Sequence, residues 1–331
     1  MMDFNTFIIV VKDNIISYMG EDYNNITPEI SIFNKTNLEN SHNLVLKLGG
    51  DVAPSINLEG MYEKYCEKYN GDFEKCMDAL AEQFKAAIKA MPKKDFVTEV
   101  IKDRSRVFPM VINTDSNKEL LKNVPHRDIE DMSVIYKILI SIDNNEGSLG
   151  MATCTIDNKM LESMYDGMSE ADLFELAMEN QAETFPSIFC NMGDQLRSLA
   201  MEDGMPEEVA NSFFPDTPGM YILRNKGISG AASILDSEKM LEYKEMVGGD
   251  CYVLPSSIHE VLIVKKQSGM IPEDLANMVC DINVACVDET ERLSNNVYEI
   301  SNTGKLVKAT DTLNKGVKDM DYGNKEKNMT I

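Results

Sequence analysis

The segment Leu254-Pro255-Ser256-Ser257-Ile258-His259-Glu260-Val261 holds the residue types from which nucleophilic hydrolysis is built. Such chemistry needs a hydroxyl, a base to take its proton, and a group that orients the base. Ser256, Ser257, His259 and Glu260 are therefore the candidate catalytic residues. Their spacing works against direct proton transfer. In an extended strand Ser257 and His259 share a face about 7 Å apart, so contact requires a bend at Pro255. No G-x-S-x-G elbow accompanies them. The competing reading is a Ser-Ser turn entering a sheet, with a histidine bonded to a neighbour. A metal reading of His259, Glu260 and Asp250 is weaker, because consecutive strand residues face opposite ways. Ile263 also stands where an H-E-x-x-H motif needs its second histidine.

His126-Arg127-Asp128, followed by Glu130 and Asp131, forms a second cluster. A guanidinium here could grip an anionic ligand, or pair with Asp128 or Asp131 and pin the turn before a long strand. Asn180, in Ala177-Met178-Glu179-Asn180, could touch a ligand or satisfy backbone groups near a helix C-terminus. His126, Arg127 and Asn180 are the candidate binding residues. Gly49-Gly50 and Gly248-Gly249 are isolated turn glycines rather than a phosphate loop, so no cofactor is implied.

Positioning these groups falls to a chain of 331 residues, 43% hydrophobic, with room for two ordinary domains. Its formal charge of −23 repels phosphate backbones and anionic membrane surfaces, which disfavours direct nucleic-acid or membrane binding. The charge is either solubilising or a mimic of a polyanion. Seven cysteines without a CxxC pair read as reduced thiols, and three histidines are too few for a clustered zinc site. The apolar run Phe7–Val11 is too short for a secretory h-region and no stretch is long enough to span a membrane, so a cytoplasmic location is expected.

The first segment reads as an amphipathic helix, with Phe4, Phe7, Ile8, Val11, Ile15 and Tyr18 at helical spacing and Gly20 as its stop. Strands follow over Glu29–Asn34 and His42–Leu48, joined by a polar connection. A helical pair, Leu58–Tyr69 and Phe73–Met91, breaks at Asn70-Gly71 and ends before Pro92. Phe96–Arg106 is expected as a short helix and Val107–Ile112 as a strand. Met132–Ile142 and Gly150–Ile156 form a hairpin about Asn144-Asn145-Glu146-Gly147. A short helix after Asp157 and a longer one opened by a Ser169/Asp172 capping box come next. Met220–Asn225 and Ala231–Leu235 read as a second hairpin, Ser237–Val247 as a helix, Cys251–Lys265 as a strand, and Pro272 onward as a final helix. Ile156-Asp157 leading to Met160-Leu161-Glu162 is echoed by Leu235-Asp236 leading to Met240-Leu241-Glu242, as two similar halves would give. From Gly304 the chain lacks apolar periodicity and reads as a disordered tail.

The chain resembles an uncharacterised bacterial family, DUF5688, whose members are hypothetical proteins common in anaerobic gut bacteria. The resemblance rests on Ala53-Pro54-Ser55-Ile56-Asn57-Leu58 before Met61-Tyr62-Glu63-Lys64-Tyr65, and on Val124-Pro125-His126-Arg127 with Asp131-Met132. It continues through Ala177-x-x-Asn180 and Met220-Tyr221-Ile222-Leu223 to Gly230-Ala231-Ala232 and Leu254–Glu260. The segment Asn34–Asn40 and the extra acidity depart from the family pattern. The resemblance implies a shared fold and no activity.

The expected architecture is α+β, with a mixed or antiparallel sheet and packed helices. A helix-rich region with a small hairpin is expected over residues 1–110, an α+β domain over 111–303 and the tail over 304–331. With no complete catalytic constellation, the expected function is a non-catalytic module that binds a protein or small ligand. The alternatives are a hydrolase-like enzyme at Ser256, Ser257, His259 and Glu260, and an acidic decoy for DNA-binding proteins.

Overall fold

The computed structural model describes residues 1–49, 53–90, 99–145, 148–165 and 167–309. Gly50, Met91, Pro92, Phe96, Glu146, Gly147 and the tail from residue 310, all named above, lie outside the described residues. The fold is α+β, and its strand pairings are antiparallel.

Helix α1 (Phe4–Met19) is capped by Asp3, whose carboxylate accepts from the Thr6 N–H, and is stopped by Gly20 at φ 99°. Its apolar residues recur every four positions, and Phe7, Val11, Ile15 and Met19 are buried. Strands β1 (Thr27–Lys35), β2 (Leu38–Lys47) and β3 (Ser55–Asn57) make a three-stranded sheet in that order. The connection between β1 and β2 is shorter than the sequence suggests: Lys35 pairs with Leu38, leaving Thr36-Asn37 as the turn. Helices α2 (Leu58–Glu67) and α3 (Phe73–Ala90) separate at Asn70-Gly71, both with positive φ. These elements enclose one core around Phe7, Leu44, Leu46, Tyr65, Met77 and Phe84.

A second, larger core begins at Val100 and reaches Leu306. One side of it is a sheet of β4 (Val107–Asn113) and β6 (Met132–Asn145), with β5 (Arg127–Ile129) and β7 (Ser148–Thr155) both pairing β6. The other side is a six-stranded sheet in the order β13-β12-β10-β11-β9-β8. Its strands are β8 (Ile188–Asn191), β9 (Met220–Arg224), β10 (Cys251–Leu254), β11 (Glu260–Lys265), β12 (Tyr298–Ile300) and β13 (Leu306–Lys308). The helices in this part are α4 (Lys118–Leu121), α5 (Asn158–Met164), α6 (Glu170–Thr184), α7 (Met192–Glu202), α8 (Glu207–Phe213), α9 (Ser237–Val247) and α10 (Pro272–Cys286). Ser169 and Asp172 form the expected capping box at α6, and Pro272 opens α10. No helix among the described residues is long and apolar enough to cross a membrane. The seven thiols are free, and burial pushes those of Cys76 and Cys251 up to about 11.

Four expectations change. Gly230–Leu235 is a 3-10 helix rather than the second strand of a hairpin. Its small residues Ala231 and Ala232 are fully buried, and alanine favours helical over extended backbone. The two similar segments, residues 152–161 and 231–241, therefore enter their helices differently, the first from a strand that ends at Thr155 and the second from a 3-10 turn. Cys251–Lys265 is two strands, not one. The chain reverses through residues 255–259, where Pro255 supplies no N–H for a ladder, and Leu254 pairs back onto Leu262. Of the short helix expected over Phe96–Arg106, the described part is helical over residues 99–102 and ends in a separate 3-10 turn, Arg104–Arg106. The tail read from Gly304 yields Leu306–Lys308 to the fold as β13.

Candidate functional site

Strand β6 positions the most consequential groups. Alternation sends Met132, Val134, Tyr136 and Ile138 into the large core. The opposite face carries Ile135, Lys137 and Leu139. Ile135 belongs to an apolar cluster with Met110, Ile112 and Ile258, and Leu139 to another with Phe108 and Phe185. Lys137 stands between the two clusters as the one charged residue of Ile135-Tyr136-Lys137-Ile138-Leu139. Its Nζ donates to Thr155 Oγ1 at 2.7 Å, from the β7 residue paired with it. No carboxylate of the described residues forms an ion pair with it. Burial pushes its ammonium down to about 8.

Two cavities meet at this residue, sharing Lys137 and Thr153 in their walls. The first, of about 690 Å³, is bounded by the loop after β9 and the loop before β11. Its walls carry Lys137, Arg224 and Lys226 against the single carboxylate of Glu260, with His259 alongside. Among the described residues neither Arg224 nor Lys226 forms an ion pair. Arg224 donates to the Gln195 side-chain oxygen at 3.2 Å. The loops are fastened to each other: Ala231 N–H donates to the Ile258 carbonyl at 3.1 Å, and Ser229 Oγ donates to the same carbonyl. A Cβ at Gly230 would stand 1.6 Å from the His259 carbonyl oxygen, so only glycine permits this approach.

The second cavity, of about 800 Å³, opens between the two cores. Its roof is Asn34 and Thr36 at the β1–β2 turn with Asn57, Glu59 and Glu63 at α2. Asp288, Glu289 and Glu291 close the other side, so this cavity is acidic. An asparagine pair holds the roof in place. The Asn37 N–H donates to Asn117 Oδ1 at 2.7 Å, and Asn117 Nδ2 returns a bond to Asn37 Oδ1 at 2.6 Å. Asn37 Nδ2 also donates to the carbonyls of Thr290 and Arg292. Both asparagines are buried. His42 and Glu59 pair at 2.8 Å beside this cavity; burial works against the Glu59 carboxylate, but bonds from His42 hold it below its ordinary range.

The structure only partly unites the residues singled out by sequence. His259 and Glu260 line the first cavity, and Ser256 and Ser257 line neither. Ser257 Oγ accepts from the backbone N–H of His259 at 3.0 Å rather than from its ring, and Ser257 bridges to Arg292. The His259 imidazole faces Glu291 at 3.0 Å, with 56% of its side chain exposed. Ser256, Ser257 and His259 occupy a turn instead of an extended strand, and Glu260 opens β11.

Arg127 pairs with Glu170 rather than with Asp128 or Asp131. Its Nε and Nη2 donate to the two carboxylate oxygens at 2.9 and 3.0 Å, and its guanidinium lies 3.7 Å from the Phe174 ring centre. Tyr136 Oη donates to the same carboxylate. Burial opposes the charge on Glu170, yet the bonds from Arg127 and Tyr136 keep its carboxyl below the usual range. Asp128 instead accepts from Ser133 at 2.8 Å, and Asp131 from Ser294, Asn296 and Tyr298. His126 Nδ1 lies 3.0 Å from the Val124 carbonyl. Asn180 donates to the carbonyls of Arg104 and Val107, tying α6 to β4 rather than capping its own helix. His126, Arg127 and Asn180 line neither cavity.

Lys137, Thr155 and Arg224 escape a search for motifs. The signal for Lys137 is a lone lysine within an apolar, β-branched run long enough to be buried on both faces. Arg224 carries none, because only the pairing of β9 with β11 brings it to the cavity. Among the described residues no group of three or more His, Cys, Asp or Glu side chains is arranged to hold a metal ion.

The sequence matches the family model DUF5688, a family of unknown function, over residues 4–301. No curated protein and no solved structure matches it.

Proposed function

The chain belongs to the DUF5688 family, whose function is unknown, and we propose that it binds a small anionic molecule in the cavity walled by Lys137, Arg224 and Lys226. One observation carries this reading: a half-buried ammonium that forms no ion pair among the described residues faces a cavity with two further cations, Arg224 and Lys226, that form none among them either, in a chain of net charge −23. A buried charge is costly unless compensated, and an acidic protein has carboxylates to spare for compensation. The carboxylates of the second cavity stand across open space from Lys137 without a direct ion pair among the described residues, so the cation-walled first cavity keeps room for an external anion as its partner. A carboxylate or phosphate here would receive charge-assisted hydrogen bonds in a partly water-excluded site.

Thermal-shift titration with small carboxylates and inorganic phosphate tests the reading. At least one should raise the melting temperature of the wild type, and Lys137→Met with Arg224→Gln should abolish the response while remaining folded. A panel without any response, or a response indifferent to both substitutions, would overturn it.

A further inference from the structure

We infer that Lys137 is a covalent attachment point, its amine forming an imine with the carbonyl carbon of a small oxo acid whose carboxylate is held by Arg224 and Lys226. This deepens the anion-binding reading and rests on it. Binding an anion alone would be served by arginine, which stays charged when buried; lysine is the cation whose proton can be lost on burial. At Lys137 the surroundings favour that loss. Apolar clusters flank it in the sheet, no described carboxylate pairs with its ammonium although Glu59, Glu63, Asp288, Glu289 and Glu291 line its second cavity, and its hydrogen-bond partner among the described residues is the Thr155 hydroxyl at 2.7 Å. With its ammonium pushed down to about 8, a substantial part of the amine is neutral at mildly alkaline pH.

The step balances without an oxidant or reductant. The nitrogen lone pair attacks the carbonyl carbon, the C–N bond forms and the C=O π pair moves to oxygen. A proton passes from nitrogen to that oxygen, for which the Thr155 hydroxyl, bonded to Nζ, is placed as a relay. The carbinolamine then expels its hydroxyl group as water while the nitrogen loses its remaining proton, giving C=N. Amine plus carbonyl becomes imine plus water.

The full chain is incubated at pH 8 with pyruvate and sodium cyanoborohydride, which reduces any imine to a stable secondary amine, and the adduct is located by peptide mass spectrometry. The expected result is one dominant adduct at Lys137, modified at least tenfold faster than surface lysines and slowed by lactate, which lacks the carbonyl. Lys137→Arg keeps the charge and removes the nucleophile; shown to be folded by circular dichroism, it should lose the dominant adduct. Lys137 unmodified, with adducts scattered over exposed lysines, overturns the inference. Thermal shifts with lactate separate the two failures: a retained shift removes only the covalent step, and its absence with every anion tested removes the binding reading as well.

Discussion

Tyr136 and Lys137 are neighbours on β6, yet they face two differently built regions. On the Tyr136 side the charges are paired: Glu170 accepts from Tyr136 and from two nitrogens of Arg127, whose guanidinium is stacked on Phe174. On the Lys137 side the ammonium has, among the described residues, one hydroxyl and two open cavities. A saturated network stabilises the fold and offers nothing to a ligand. An unsaturated charge costs stability and leaves bonding capacity unspent. The difference separates Arg127, the more conspicuous residue in the sequence, from Lys137, the more useful one.

Substitutions on the two faces should therefore act in opposite senses. Glu170→Ala strands Arg127 and the Tyr136 hydroxyl, and should cost about 3 kcal/mol in urea unfolding while leaving anion-induced stabilisation intact. Asn117→Ala unties the asparagine pair from the β1–β2 turn and should cost about 2 kcal/mol, with faster proteolysis near Asn37 as a local readout. Lys137→Met fills the space between two apolar clusters with a side chain of similar length. It should raise stability at neutral pH by about 1 to 3 kcal/mol, the charge penalty it relieves, while anion affinity falls at least tenfold. His259→Ala removes one member of an exposed pair and should change stability by less than about 0.5 kcal/mol. Should Lys137→Met destabilise as strongly as Glu170→Ala, the contrast between the faces is wrong.

Proton linkage sharpens the same contrast. Lys137 releases its proton near pH 8 when folded, and near the ordinary lysine value of 10.5 when unfolded. Between these values the unfolded chain binds more protons, so this residue's contribution to stability rises with pH. Below about pH 8 it imposes its full penalty. Subtracting the pH profile of Lys137→Met from that of the wild type should leave a rise confined to this window, of about 1.4 kcal/mol for each unit of the difference. Anion binding should weaken over the range in which the folded lysine discharges.

Much of the fold was legible because its signals are local. The four-residue spacing of Phe7, Val11 and Ile15, the Ser169/Asp172 box and Pro272 act within one helix, and the helices form where these residues place them. Reading failed where conformation depends on distant contacts. Gly230–Leu235 is 3-10 and is fastened to a distant loop: the Ala231 N–H donates to the Ile258 carbonyl, and Gly230 passes the His259 carbonyl, twenty-nine residues away in sequence, where a Cβ would not fit. Residues 181–219, which carry no sustained apolar periodicity, hold β8, α7 and α8. The candidate site was legible by half: His259 and Glu260 do reach a cavity, but the cations that give it character converge through strand pairing.

Strand β13 has a practical consequence for handling the protein. Its pairing with β12 puts Leu306–Lys308 on the outer margin of the six-stranded sheet, and the Ala309 N–H reaches the Val297 carbonyl at 2.8 Å. A truncation chosen from composition, just after Gly304, would strip this cover and bare the hydrogen-bonding groups of β12 to other copies, inviting self-association. Shortened chains should instead end beyond Ala309, and a matched pair cut on either side of β13 should differ in light scattering long before they differ in helix content.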